Sequence, residues 1–352
     1  MITKIITQEK VERIRRYIER GERFVILSHT SPDGDAIGAS LGLFHYLTAI
    51  NKIVTVIIPD EMPVCLRWLK GTKDILTCKK YPDYCAQLIK EADVIFCLDF
   101  NSPIRLGELG ALLSSAQGKK VLIDHHPDPD PMFNVSISYP QISSTSELIF
   151  RLICQMGDFE QITKVGAEAI YTGMMTDTGG FTFNSNSSEI YFIISELIKK
   201  GINKDWIYSR IYNTFSEGRM RLMGYTLYEK MKLFPDCGTA LLVLSEEEMK
   251  RFDYKNGDTE GFVNLPMCID GIIFSVFIRE MRRVIKLSFR SLGGFPSNLM
   301  ASEHFNGGGH TNASGGEFDG SLEDAVALFE KILPNYKALL QKAMGQRNKR
   351  DE

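Results

Sequence analysis

Apolar runs and helical spacings alternate along the first half of the chain. Val11, Ile14, Tyr17 and Ile18 share one face of a helix predicted over 7–20, which Gly21 ends. The apolar run at 24–27 reads as a buried strand. It is followed by a helix over 36–50, in which Gly38, Ala39, Ser40 and Gly42 allow close packing. Further strands are predicted at 54–58, 93–98 and 121–123, with an irregular segment up to Tyr84 and a helix over 84–91. Helices over 144–156 and 164–175 lead to Asp177 at a break marked by Gly179 and Gly180. Strand and helix alternating up to about Ser187 predict an α/β fold with a doubly wound parallel sheet.

The pattern then changes. Residues 188–235 have few turn signals except Gly201 and Gly218 and read as a helical connector. From Gly238 onward, strands predicted at 239–244, 272–278 and 284–290 suggest a second, smaller α/β domain. A glycine-rich segment, FNGGGHTNASGGE, precedes a final helix from Ser321, where Ser321 and Asp324 approximate a capping box and Pro334 should interrupt the helix. The expected organisation is 1–187, 188–235 and 236–345, with a frayed polar tail at 346–352 and no internal repeat.

At 352 residues the chain is long enough for two cores, since single cores stop growing at roughly 250–300 residues. A net charge of −3 offers no broad basic surface, which argues against tight binding of long nucleic acid and leaves short or small anionic substrates open. The seven cysteines are odd in number and include no C-x-x-C pair, so they read as reduced thiols. No signal-peptide core and no apolar run of membrane-spanning length is present, and a cytoplasmic location without membrane association is expected.

Candidate chemistry gathers at predicted strand ends. The 24–27 strand runs into SHTSPDGD, with His29, Asp33 and Asp35 in a loop shaped by Pro32 and Gly34. Helix capping accounts for one aspartate there, but not for His29 with two. The 93–98 strand ends on Asp99, and the 121–123 strand ends on Asp124, His125 and His126 before a proline-rich segment. Open α/β sheets place ligands at the carboxyl ends of their strands. So many carboxylates converging on one cleft would repel one another and raise their own pKa values unless a cation held them. Carboxylate and imidazole donors without thiolate suit Mn2+ best, with Mg2+ and Co2+ as alternatives. Such a set exceeds one ion's needs and suits two ions about 3.5–4 Å apart sharing an aspartate. Arg105 could contact a phosphate or form a loop salt bridge. His45 and His304 are expected to be structural.

HTSPDGDAIG at 29–38, Asp99, Asp124-His125-His126, Asp177 and GGGH at 307–310 together resemble the DHH phosphoesterases with a DHHA1 domain. Within that family the chain is similar to the branch that degrades very short RNA and dephosphorylates pAp. The resemblance covers nearly the whole chain. It implies a DHH catalytic domain over 1–187 and a DHHA1 substrate-binding domain over 236–345. It also implies one metal on His29, Asp33 and Asp99 and another on Asp35, Asp99, His125 and Asp177, with water activated between them. Asp124 would orient the imidazoles, a role its position beside ligating histidines also allows. His126 would face the substrate phosphate, stabilising charge or assisting the leaving oxygen. Arg290, Ser291, Gly307, Gly308, Gly309 and His310 would clamp a second phosphate, which would limit substrates to short RNA or DNA oligonucleotides and phosphorylated nucleotides. Arg290 also has a reading as a buried structural arginine. The alternatives are a linear or cyclic dinucleotide phosphodiesterase, an exopolyphosphatase or pyrophosphatase, and a non-catalytic nucleotide sensor, which the intact ligand set disfavours. An apolar connector or a sheet edge could support a homodimer.

Overall fold

The computed structural model describes residues 3–255, 257–282 and 284–348, which fall into two compact units within Met1–Thr214 and Phe215–Glu352. Unit 1 is built on six parallel strands: β1 (Arg23–Leu27), β2 (Ile53–Ile58), β3 (Leu76–Thr77), β4 (Val94–Leu98), β5 (Lys119–Asp124) and β6 (Val135–Ser138). They lie in the order β3-β2-β1-β4-β5-β6. Helices α1 (Gln8–Arg20), α2 (Gly34–Ala49), α5 (Thr145–Gln155), α6 (Lys164–Asp177), α7 (Ser188–Lys199) and α8 (Lys204–Tyr212) share one core with one face of the sheet. Helices α3 (Pro82–Glu91) and α4 (Leu109–Ser115) share another core with the opposite face.

Alternate residues of each strand enter alternate cores. Phe24, Ile26, Phe96 and Ile123 face the first, whereas Val25, Leu27, Cys97 and Leu122 face the second. Burial on both faces is why these strands read as unbroken apolar runs. From β1 the chain winds outward through β2 and β3, returns to β4 beside β1, and continues to β5 and β6. The reversal between β1 and β4 opens a crevice at their carboxyl ends, the usual ligand position in such sheets.

Helices α2 and α6 approach very closely. A Cβ on Gly38 would lie 2.7 Å from the Gly173 backbone, so a side chain there would push the helices apart. Two short strands of this sheet, β3 and β6, carry little periodic signal. In β6 only Val135 and Ile137 point inward, after a segment broken by three prolines.

Unit 2 holds a mixed six-stranded sheet made of β7 (Met231–Phe234), β8 (Thr239–Leu244), β9 (Phe274–Met281), β10 (Val284–Ser291), β11 (Gly308–His310) and β12 (Ala313–Phe318). The order is β11-β12-β10-β9-β8-β7, with β8 and β9 parallel and the other pairs antiparallel. Helices α9 (Glu217–Glu229), α10 (Glu246–Arg251), α11 (Ser297–His304), α12 (Leu322–Ile332) and α13 (Lys337–Asn348) complete it. Strand β7 falls in the stretch predicted to be helical, because its residues are only partly buried or exposed and carry no clear alternation. Residues 188–235 are divided between the units: Ile193, Leu197 and Ile207 belong to the first core, whereas Leu222 packs with Leu242, Leu244 and Phe277 in the second unit.

Ser321 caps α12 by accepting from the Asp324 amide, and the helix gives way to a tighter turn over Leu333–Tyr336 around Pro334. Of the expected polar tail, 349–352 lie outside the described residues. Among the described residues no helix is long and apolar enough to cross a membrane.

Candidate metal centre

The carboxyl ends of β1, β4 and β5 meet the first turn of α2, the last turn of α6 and the start of α5. His29 follows β1 and is buried; its Nδ1 donates to the Thr30 carbonyl at 2.8 Å, which turns Nε2 toward Asp99 Oδ2 at 3.5 Å and Asp33 Oδ1 at 4.0 Å. Asp33 does cap α2, its Oδ1 accepting from the Asp35 and Ala36 amides at 3.0 Å each, yet the same oxygen faces His29. Capping and site roles therefore coincide on one residue.

Asp99 lies at the centre. It ends β4 in a left-handed conformation with φ of 66°, a region costly for most residues but tolerated by aspartate and asparagine. This turn aims the carboxylate back across the strand ends. Oδ2 faces His29, while Oδ1 lies 3.6 Å from His125 Nε2. His125 Nδ1 donates to the Ile142 carbonyl at 3.3 Å, so its Nε2 points inward and also reaches Asp177 Oδ2 at 3.4 Å. Tying the outer nitrogen of each imidazole to a backbone carbonyl is how ligating histidines are commonly oriented.

Three groups of donors come close enough to hold a cation: His29, Asp33 and Asp99; Asp35, His125 and Asp177; and Asp99, His125 and His126. In the third, the nitrogen of His126 nearest Asp99, Nδ1 at 3.9 Å, donates to Asp124 Oδ1 at 2.7 Å. That bond commits the nitrogen to Asp124, a fully buried carboxylate, and leaves the first two groups as the better donor sets. The structure thus gathers every metal-site residue expected from the sequence. It also brings in Thr145, whose Oγ1 donates to Asp99 Oδ1 at 2.9 Å, and the amides of Thr145 and Ser146, which donate to the two oxygens of Asp35 at 2.6 and 2.9 Å. Sequence reading missed these residues. The run of hydroxyls Ser143-Ser144-Thr145-Ser146 at a helix start was the available signal.

The electrostatics favour binding of a cation. Burial opposes protonation of His29, but Asp99 and Asp33 outweigh it and raise its pKa to about 9. His125 likewise rises to about 9, against burial, through Asp99, Asp177 and Asp35. Burial, then Asp99 and Asp177, hold Asp35 well above the usual carboxylate range. Burial, with Asp99 and Asp33 nearby, pushes Asp177 up to about 7 against the pull of His125. Burial disfavours the Asp99 anion, yet His29, His125 and His126 keep it well below the ordinary value. Protons on several of these groups balance the buried carboxylates, and a divalent cation on oxygen and nitrogen donors is their natural replacement.

Arg105 is exposed on the rim, where its carbonyl accepts from the Thr30 amide at 2.8 Å and ties its loop to the one carrying His29. The remaining predicted contacts lie in unit 2. Arg290 is largely buried and makes no ion pair among the described residues; its guanidinium donates to the Phe289 carbonyl at 2.9 Å, and burial lowers its pKa. The buried Ser291 hydroxyl donates to the Phe295 carbonyl at 2.7 Å and accepts from Asn312 at 2.8 Å. Gly309 adopts φ of 134°, and a Cβ there would come within 2.8 Å of the Ala313 carbonyl, so β11 needs glycine to lie against β12. Gly308 and His310 are exposed. His45 bonds the Lys70 carbonyl and His304 bonds Tyr336.

Residues 23–174 match the DHH family, N-terminal domain. The bifunctional oligoribonuclease and PAP phosphatase NrnA of Thermus thermophilus is 28% identical over 318 residues, covering 90% of each chain. The cyclic-di-AMP phosphodiesterase PdeA of Listeria monocytogenes is 24% identical over 88% of this chain and 46% of its own length. The crystal structure of an exopolyphosphatase-related protein from Bacteroides fragilis superposes with a TM-score of 0.95 at 55% identity, covering 97% of this chain and all of that one. The chain carries a DHH-family N-terminal domain over residues 23–174 and is a hydrolase of phosphoester bonds.

Proposed function

We propose that this phosphoesterase depends on a pair of divalent ions, Mn2+ by preference, and hydrolyses short oligonucleotides and the 3′-phosphate of pAp. The observation that carries the metal dependence is Asp99, whose two oxygens face two different histidines in two different donor groups. His29, Asp33 and Asp99 would hold one ion, and Asp35, Asp99, His125 and Asp177 the other. Ions held there would supply Lewis acidity and lower the pKa of a bound water. The chain's own contribution is positional and protonic. The Thr30 and Ile142 carbonyls fix the His29 and His125 rings. Asp124 holds His126 Nδ1, so exchange of a proton with a phosphoryl or leaving oxygen runs through Nε2 of that ring.

The substrate class rests on likeness to NrnA and on unit 2. Arg290, next to Ser291, is largely buried and makes no ion pair among the described residues, a guanidinium suited to an anion. Gly307, Gly308, Gly309 and His310 add backbone amides and an imidazole suited to a phosphate. Arg105 would meet substrate at the rim of the metal centre.

The test is a time course of the purified protein with Mn2+ on 5′-labelled RNA of two, three, five and about twenty-four nucleotides, with pAp alongside and EDTA as control. Fast cleavage of the shortest RNAs and release of phosphate from pAp are expected, with little action on the longest. Equal rates at all lengths would overturn the short-substrate reading. A second reading, exopolyphosphatase, is favoured by the 55% identity with the exopolyphosphatase-related protein of Bacteroides fragilis. Phosphate release from tripolyphosphate, with RNA and pAp untouched, would replace the first reading with the second.

A further inference from the structure

We infer that Thr145 is the positioning residue of the metal centre, and that the first turn of α5 fixes the separation of the carboxylates that serve the two donor groups. This rests on the proposed metal-dependent reading of the site. Asp35 comes from the first turn of α2 and Asp99 from the end of β4, so nothing in either element sets the distance between them. A single helix end touches both. The Thr145 and Ser146 amides occupy one oxygen each of Asp35, and the Thr145 hydroxyl bonds Oδ1 of Asp99. Thr145 thus contacts one carboxylate through its backbone and the other through its side chain.

The helix end is itself anchored. Ser144 caps it by accepting from the Glu147 amide at 3.0 Å. Glu147, in the first turn, accepts from the Ser143 hydroxyl at 2.5 Å and from Arg151 Nε at 2.8 Å. Arg151 continues to the half-buried Glu189 at 2.7 Å, so an ion-pair chain buried at Glu147 and Arg151 anchors α5. Amides at a helix start favour negative charge. Here they are directed at side chains that would otherwise repel one another and splay. The two carboxylates are therefore held in register before an ion arrives, which reduces the reorganisation that binding would require.

Titrating the full-length protein with Mn2+, while following the electron paramagnetic resonance of the unbound ion, tests this. Thr145→Val keeps the shape and removes the hydroxyl, Thr145→Ala removes shape as well, and Thr145→Ser keeps the hydroxyl. Val and Ala are expected to weaken Mn2+ binding by about 10- to 100-fold, the range seen when a group that orients a ligand is lost. Ser is expected to bind as the wild type does, with all four proteins melting alike in EDTA. Wild-type affinity in the Val or Ala variant overturns the inference, as does a Ser variant as weak as Val. A wild type that binds Mn2+ tightly yet hydrolyses no phosphoester overturns the proposed function and leaves this inference standing.

Discussion

At the scale of single residues, the site stores protons that the proposed metal would displace. His29 and His125 have folded pKa values of about 9 against an ordinary 6.5, so both are charged at neutral pH in the metal-free protein. Only the neutral ring binds a cation. Apparent Mn2+ affinity should therefore rise as pH goes from 7 to 9, with protons released. Calorimetric titrations in buffers of different ionisation enthalpy would show this, and an enthalpy independent of buffer would contradict it. The same shifts govern stability. Between 6.5 and about 9 the folded metal-free protein binds more protons than the unfolded chain, so its stability falls as pH rises through that window. Asp177, raised from 3.8 to about 7, acts in the same direction between those values. EDTA-treated protein should show a falling melting temperature from pH 6.5 to 9, and Mn2+ should reverse most of the loss. Asp99→Asn retains a residue that tolerates the left-handed backbone while removing the shared charge. It should cost Mn2+-dependent turnover more than the roughly 10- to 100-fold typical of residues that merely orient ligands, with the fold intact by circular dichroism.

At the scale of elements, what the sequence disclosed followed burial. Strands β1, β4 and β5 were legible because both faces of the sheet are covered, and the polar residue that stops the apolar runs of β4 and β5 lies at the site. Asp99 and Asp124 were found in that way. Thr145 was not, since its partner is 46 residues away and a hydroxyl at a helix start is ordinarily a cap. The short β6 escaped notice because a few alternating positions cannot be told from a loop, and β7 because it carries no clear alternation within a stretch read as helical. The boundary near residue 214 was equally invisible, because α7, α8 and α9 have similar composition and only packing separates them. The anchor of α5 has a measurable strength. Arg151→Met leaves Glu147 buried with its main partner gone and should destabilise the fold by about 3–5 kcal/mol in urea titrations. A loss below about 1 kcal/mol would mean that water or another cation replaces the guanidinium.

For the whole molecule, the separate cores of the two units predict separable melting. Calorimetry of the intact chain should resolve two transitions. Mn2+ at a hundred times its Kd should stabilise the transition of 1–214 by about 2.7 kcal/mol and leave the other in place. A single transition that moves as a whole would show the chain unfolding as one body. All the proposed metal donors lie between His29 and Asp177, inside the first unit. Protein synthesis delivers that unit first, and domains generally fold as they emerge. On the proposed reading, the nascent chain could acquire metal while the ribosome is still making the part expected to choose the substrate, so that the reactive centre would be in place before its specificity.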